Sequence, residues 1–305
     1  DPVSVLQTCN AHDTLMFVMC NGRVYVEKAY EIPECSRISK GRNIVNFLNL
    51  QKNEKIAALI SVESFENDNS LILCTKKGVS KKTKIAAYKN HRKGGIIGIN
   101  VDEGDEVLNA MIANDDDHLL LLTKFGKGLR FDCRQLRNQG RVTRGVRGIR
   151  LKGEDEVVNM LVVDDNKLLL ICGRNGLGIR TRFSAFLPNG GLTDIEGVVS
   201  TARKRGGQGV TAMNTDMLCD ALSVSEESEI LMITKKGQAV RCPVINIRET
   251  NRGSKGVRLV NLSARDHLIG VSEVVMLDED STDSIVETDT DTESKDEADS
   301  TPASE

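Results

Sequence analysis

The chain of 305 residues contains no tryptophan, three tyrosines and seven phenylalanines, so aromatic residues make up only 3% of it. Proteins that bind single-stranded nucleic acid usually stack its bases on aromatic side chains, and this scarcity argues against that class. Only four histidines are present, none at paired-ligand spacing, and the GxxxxGK[ST] nucleotide-binding pattern is absent. We therefore expect no catalytic residue, no metal site and no cofactor in this chain.

Long apolar runs and closely spaced cysteines are also missing. No run approaches the roughly 18 to 20 residues needed to cross a bilayer, and the first residues lack the basic-then-apolar order of a signal peptide. The eight cysteines never fall at CxxC spacing, which favours buried free thiols in a reducing compartment over a zinc or redox site. We expect a cytoplasmic protein without membrane contact.

Charge is distributed unevenly along the chain. Residues 278–305 hold 12 Asp and Glu and one lysine, which leaves 40 Lys and Arg against 32 Asp and Glu in residues 1–277. The net charge of −3 thus combines a body of +8 with a tail of −11. The basic body predicts a polyanionic partner. The tail has almost nothing to bury, so we expect it to be disordered and either to aid solubility or to compete with that partner.

A repeat with a period of about 50 residues runs through the body. Each unit has a short apolar strand pattern, a turn at glycine and a strand rich in Lys or Arg, as in LILCTKKGVSKK at Leu71–Lys82. The turn glycines suit tight hairpins because glycine adopts positive φ freely. They are Gly22, Gly78, Gly126, Gly176 and Gly237, at spacings of 56, 48, 50 and 61 residues.

A second glycine turn, flanked by Arg and Lys, follows each hairpin. The fullest copy lies in RVTRGVRGIRLKGED, Arg141–Asp155. We call the five copies the first to fifth basic turns: Lys40–Arg42, Arg92–Gly95, Arg141–Gly148, Arg203–Gly207 and Arg252–Gly256. Each precedes an apolar strand pattern, and an acidic turn and a further strand complete the unit.

Four strand patterns per unit match the size of a propeller blade, and helical periodicity is nearly absent. The sequence predicts an all-β fold of four-stranded blades in residues 1–277, with residues 278–305 as a separate tail. Five units are complete, and residues 1–11 resemble the end of an earlier unit. The extra residues Pro188–Ser200 in the fourth unit predict a surface loop.

The basic turns are the candidate binding site. Glycine lets the backbone approach a phosphate closely, and the flanking cations supply charge. On a cyclic scaffold, equivalent turns would lie on one rim, where a duplex could follow them, so double-stranded DNA is the predicted ligand. We expect the side chains of Arg203, Lys204 and Arg205 to face solvent. The candidate residues are Arg37, Lys40, Arg42, Arg92, Lys93, Arg141, Arg144, Arg147, Arg203, Lys204, Arg205, Arg252, Lys255 and Arg258.

Further cations follow the hairpin glycines. Alternate residues of a strand face outward, so we expect some of these cations merely to solubilise the rim and others to widen the DNA-binding region. They are Arg23, Lys28, Lys81, Lys82, Lys84, Arg130, Arg134, Arg180, Arg182 and Arg241.

Together these motifs resemble the C-terminal domain of DNA gyrase A. The resemblance covers residues 1–277 and rests on GRNIVNFLNL at 41–50, TRGVRGIRLKGEDEVV at 143–158 and RKRGGQG at Arg203–Gly209. That family implies a six-bladed β-pinwheel whose neighbouring blades exchange strands. Its most diagnostic heptad, QRRGGKG on the first blade, has no copy here. Arg203–Gly209 is the closest match, which indicates either a domain fragment or a relocated turn.

The resemblance also implies a function. It predicts non-specific duplex binding, bending and positive wrapping that support negative supercoiling by DNA gyrase, an ATP-dependent type II topoisomerase. The implied partners are DNA, the rest of gyrase A, and gyrase B, in a bacterial cytoplasm near the nucleoid. ATP and Mg²⁺ are expected only for the complete enzyme, and the cleaving tyrosine only in its upstream domain.

Three alternatives remain open from the sequence. The chain also fits the equivalent C-terminal domain of topoisomerase IV, although that domain has fewer and more eroded turns. A free-standing protein of the same repeat family is the second alternative. A protein-interaction propeller is the third, and it predicts exposed apolar loops instead of cations at one recurring position.

Overall fold

A computed structural model describes residues 8–35, 41–52, 54–191 and 202–274 of the chain. Its strands all lie within the compact unit Asp1–Val274. They are β1 (Thr14–Met19), β2 (Arg23–Lys28), β3 (Ile56–Val62), β4 (Ser70–Thr75), β5 (Val79–Lys84), β6 (Ile96–Ile97), β7 (Val107–Ala113), β8 (His118–Thr123), β9 (Lys127–Asp132), β10 (Val146–Arg147), β11 (Val157–Val162), β12 (Leu168–Gly173), β13 (Leu177–Arg182), β14 (Val210–Thr211), β15 (Leu218–Val224), β16 (Glu229–Thr234), β17 (Ala239–Pro243), β18 (Val257–Arg258) and β19 (Leu268–Val274).

Within the described ranges the helical elements are short 3-10 turns, and the predicted all-β fold is confirmed. No helix in these ranges is long and apolar enough to span a membrane. The 3-10 turns are Ala29–Glu31, Ile44–Asn46, Ile85–Tyr88, Cys133–Gln135, Phe183–Phe186, Pro188–Gly191 and Val244–Asn246.

The strands form five blades, one per predicted hairpin. The orders are β3-β1-β2-β6, β10-β5-β4-β7, β11-β8-β9-β14, β15-β12-β13-β18 and β17-β16-β19. Four blades have the predicted four strands. The fifth has three within the described residues, which departs from the prediction of four in every blade. The equivalent strands of successive blades pack against one another, β3 against β7, β7 against β11, β11 against β15 and β15 against β19, as in a propeller.

The hairpins form where the glycines predict them. All five hairpin glycines have positive φ, between 73° and 86°. At Gly126 a Cβ atom would lie 2.2 Å from the carbonyl oxygen of Met213, so a larger residue would clash with the backbone there as well.

Neighbouring blades exchange strands, as the resemblance implied. β6 pairs with β2 of the blade before its own unit, and β10, β14 and β18 pair in the same way with β5, β9 and β13. β10 lies within the third basic turn, and β6, β14 and β18 begin at most three residues after the second, fourth and fifth turns. The exchange therefore places each of the second to fifth turns on the outer edge of the preceding blade.

The core lies between blades and explains why the first hairpin strands are apolar at every position. Leu71 and Leu73 of β4 pack against the first blade, whereas Ile72 and Cys74 of the same strand pack against the third. A strand that is buried on both faces needs apolar residues without alternation. The run LLLL at 119–122 follows the same rule between the second and fourth blades.

Candidate nucleic-acid interface

The hairpin glycines anchor the segments that follow the basic turns. The carbonyl of Gly22 accepts hydrogen bonds from the amides of Gly98 and Ile99, just beyond the second turn, at 2.8 and 3.2 Å. Gly78, Gly126 and Gly176 accept equivalent pairs of amides, at the end of the third turn and just beyond the fourth and fifth turns. Four turns are thus fixed by the same backbone contact to the same place on successive blades.

Neighbouring basic turns are also hydrogen-bonded to one another. The amide of a residue beyond one turn donates to a carbonyl within the next turn. These pairs are Asn100 to Thr143 (2.9 Å), Arg150 to Gly207 (2.8 Å) and Asn214 to Ser254 (2.9 Å). The second to fifth turns therefore form one continuous path, which we call the basic track.

Two arginines strengthen the later junctions of the track. The guanidinium of Arg252 donates to the carbonyls of Ala185 (2.8 Å) and Thr211 (3.2 Å), which lie in the 3-10 turn after β13 and beside the fourth turn. Arg205 makes the equivalent bonds to the carbonyls of Gln135 (3.0 Å) and Arg147. Both side chains are half-buried, and both hold one turn against the preceding one.

Arg203 is also directed inward. Its guanidinium donates to the carbonyls of Phe186 (3.1 Å) and Leu187 (3.2 Å). Burial and the nearby Arg252 lower the pKa of Arg203. The expectation that the side chains of the fourth turn face solvent is therefore wrong for Arg203 and Arg205, because backbone carbonyls compete successfully for their guanidinium groups. Arg252 is directed inward in the same way.

Other candidate cations are exposed along the track. Arg144 pairs with Asp102 at 3.2 Å, but both groups are more than half exposed, so the pair is weak and can open for another anion. The exposed candidates in the second to fifth turns and at their ends are Arg92, Lys93, Arg144, Arg147, Lys204, Lys255 and Arg258. Arg141 is half-buried.

The first basic turn is only partly visible. Arg42 is exposed, whereas Arg37 and Lys40 lie outside the described residues. Most of the predicted loop Pro188–Ser200 and all of the acidic tail also lie outside them. The described track therefore rests on four turns.

The strand cations after the hairpins differ from expectation. Lys82, Arg130 and Arg180 are buried, and each pairs with an acid in the loop that leads to the next blade. Arg130 forms a bidentate pair with Asp165 at 2.7 and 2.6 Å, which lowers the pKa of that carboxyl. These side chains join the scaffold and are not available to a ligand. Lys84, Arg134, Arg182 and Arg241 lie in ion pairs nearer the surface.

Sequence reasoning missed Gln135 and the role of Lys81. The amide side chain of Gln135 donates to the carbonyl of Arg203 (3.0 Å) and accepts from the amide of Arg205 (2.7 Å), so it holds the fourth turn. Lys81 is fully buried against the second and third turns. Neither residue lies in a glycine turn flanked by Arg and Lys, which is the pattern that marks the basic turns in the sequence.

A protein-family model and curated relatives match the part of the chain that forms the blades and the basic turns. The family model described as DNA gyrase C-terminal domain, beta-propeller, matches residues 21–63, 69–114, 117–164, 202–216 and 228–274, more than half of the chain. DNA gyrase A of Mycolicibacterium smegmatis is 35% identical over 304 residues, which covers 98% of this chain and 34% of that protein. The chain thus spans about a third of the length of this curated relative.

Two solved structures share the architecture. A structure of the DNA gyrase A C-terminal domain gives a TM-score of 0.71 at 29% identity, covering 88% of this chain and 84% of that one. The C-terminal domain of DNA topoisomerase IV gives a TM-score of 0.76 at 22% identity, covering 87% and 80%, which shows a common fold. By its repeats, its exchanged strands and the extent of the family match, the chain belongs to the DNA gyrase C-terminal domain family.

Proposed function

We propose that this chain binds double-stranded DNA without sequence preference through the basic track. The observation that carries the proposal is the hydrogen-bonded succession of the second to fifth turns, with exposed cations along it. Cations spaced along one path can neutralise phosphates of one duplex, and the release of counterions then supplies affinity without reading any base.

The same arrangement favours bending. Consecutive turns belong to consecutive blades, so a duplex that contacts all of them must change direction from blade to blade. Bending a site of 20 to 30 base pairs by 40° to 90° costs on the order of 1 to 6 kcal/mol, which the added phosphate contacts must offset. We propose that the chain wraps DNA with positive handedness, the sense implied by its family.

Within a longer protein, this domain would present wrapped DNA to a type II topoisomerase and so support negative supercoiling by DNA gyrase. The partners would be the rest of gyrase A, and gyrase B. The relatives named as DNA gyrase support this assignment. ATP and Mg²⁺ would serve the remainder of the enzyme, so DNA binding by this chain should proceed in EDTA without nucleotide.

Salt-dependent affinity for two unrelated duplexes tests the binding. We expect equal affinities for the two sequences, and a plot of log affinity against log salt that falls by about 0.9 for each phosphate neutralised. An affinity that does not change with salt concentration, or that differs strongly between the two duplexes, would reject the proposal. If the chain binds no DNA at all, that result would support a protein-interaction propeller instead.

A topology assay tests the wrapping. A nicked plasmid is sealed by DNA ligase in the presence of the chain, with the Mg²⁺ and the nucleotide that the ligase itself requires. The protein is then removed, and the linking number is measured against a plasmid sealed without the chain. Positive wrapping leaves positive supercoils in the sealed plasmid. An unchanged linking number, despite saturating binding, would mean that the chain binds DNA without wrapping it.

A further inference from the structure

The junction between the second and third basic turns differs from the two later junctions. Arg205 and Arg252 clamp the later ones, and Arg141 occupies the equivalent position in the third turn. Within the described part of the chain, the Arg141 guanidinium makes no hydrogen bond to the second turn. The backbone bond from Asn100 to Thr143 is still present at this junction. A side chain from a different element takes the place of the arginine clamp.

That side chain is Lys81 of β5. It is fully buried, and its ammonium donates to the carbonyls of Gly98 (2.7 Å), Thr143 (3.3 Å) and Arg141. Gly98 follows the second turn, whereas Arg141 and Thr143 belong to the third. An ammonium group has three N–H donors, which matches the three carbonyls. One buried group thus fixes the backbone of two neighbouring turns.

We propose that Lys81 is a positioning residue for DNA binding, which holds the second and third basic turns in the register at which a duplex can contact both. The inference rests on the proposed function. Lys81 cannot reach a phosphate itself because it has no exposed surface. Its effect on DNA must pass through the exposed cations that it positions, of which Arg144 lies one residue from Thr143.

The burial of Lys81 has an electrostatic consequence. Removal from water, with the nearby Arg141 guanidinium adding to the effect, lowers the pKa of Lys81 to about 8. On the other side of β5, the neighbouring Lys82 is neutralised by Asp115 at 2.9 Å. When the ammonium loses its proton it keeps two N–H donors for three carbonyls, so the clamp weakens.

A double-mutant cycle tests the inference. Lys81→Met, Arg144→Gln and the double variant are made in the full 305-residue chain, and their affinities for one duplex are measured at fixed salt. We expect each single variant to bind about three- to tenfold more weakly. The double variant should bind little more weakly than Lys81→Met alone, because Arg144 no longer lies at its phosphate.

Lys255→Gln is the matched control, because Lys255 occupies the position in the fifth turn that Arg144 occupies in the third. Its effect on affinity should be the same in the parent chain and in the Lys81→Met background. Equal losses for Arg144→Gln in both backgrounds would overturn the inference. If neither Lys255→Gln nor Arg144→Gln weakens binding in the parent chain, the proposed function itself fails, which is a different result.

The pH dependence supplies a second readout, which needs no variant to fold. As pH rises through about 8, DNA affinity of the parent chain should fall because the protonated clamp binds better. The free energy of unfolding should rise over the same pH range, whereas the affinity falls. Folding disfavours the protonated lysine, so its contribution to the free energy of unfolding rises between pH 8 and the usual lysine pKa of 10.5. Affinity that stays level while stability rises would leave Lys81 a structural residue only and would reject the inference.

Discussion

Arg252 and Lys255 lie three residues apart in the same basic turn, but their side chains differ in burial and in hydrogen bonding. The guanidinium of Arg252 is half-buried and donates to the carbonyls of Ala185 and Thr211. Lys255 is exposed. A planar guanidinium can satisfy two separated carbonyls at once, whereas an ammonium on the surface remains hydrated. A cluster of cations around glycine thus contains both the groups that shape the turn and the groups that are free to contact a ligand.

The fourth turn repeats this division. Arg203 and Arg205 bind backbone carbonyls, and Lys204 between them is exposed. We call Arg203, Arg205 and Arg252 the inward arginines, and Arg144, Lys204 and Lys255 the outward cations. The net charge of a turn therefore overstates its capacity to bind phosphate. We expect the inward arginines to contribute mainly to folding stability and the outward cations mainly to salt-dependent affinity for DNA.

The largest expected effect comes from replacing all three outward cations with glutamine. Each lost phosphate contact should reduce the slope of log affinity against log salt by about 0.9, and the combined loss of affinity at fixed salt should be roughly 10²-fold. The free energy of unfolding should stay within about 0.5 kcal/mol of the parent value, because these side chains are exposed. Fluorescence anisotropy over a salt series and urea denaturation provide the two measurements.

Three exposed lysines outside the turns provide the matched control. Lys152, Lys167 and Lys235 carry the same total charge, and none lies in a basic turn. Their replacement by glutamine should change affinity far less. An equal loss from this control set would mean that net charge alone determines binding and that the basic track is not a defined site.

Arg252→Gln should have a smaller effect on binding and a larger one on folding. It leaves the carbonyls of Ala185 and Thr211 without a charged donor, which should lower the free energy of unfolding by about 1 to 3 kcal/mol. Lys255→Gln, in the same turn, should leave stability unchanged and reduce the salt slope. If both variants change only affinity, the distinction between inward and outward cations is wrong.

Much of the fold can be predicted from local sequence, because hairpin glycines and apolar strand patterns recur in every unit. The run LLLL before Gly126 predicts a buried strand and a hairpin, and both are present. The exchange of strands was not readable in this way. β10 has two residues, and its Val146 pairs with Ser80 of the preceding blade, so only the resemblance pointed to this exchange.

The candidate site was predictable as a set of turns but not as individual side chains. The inward direction of Arg205 depends on the carbonyl of Gln135, which lies 70 residues earlier in the sequence. Lys82 and Arg130 resembled surface cations because the acids that neutralise them, Asp115 and Asp165, lie beyond the next strands. Such pairings depend on tertiary contacts, and strand alternation alone predicted the wrong exposure for these residues.

The smallest expected effect concerns the acidic tail, residues 278–305. Its charge of −11 predicts competition with DNA for the outward cations, so its deletion should raise affinity about two- to fivefold at low salt, where charges act over longer distances. The gain should fade at higher salt. It should also shrink in the variant that lacks the three outward cations, because the tail then has less to compete for. Unchanged affinity at low salt after deletion would leave the tail with a role in solubility and none in binding.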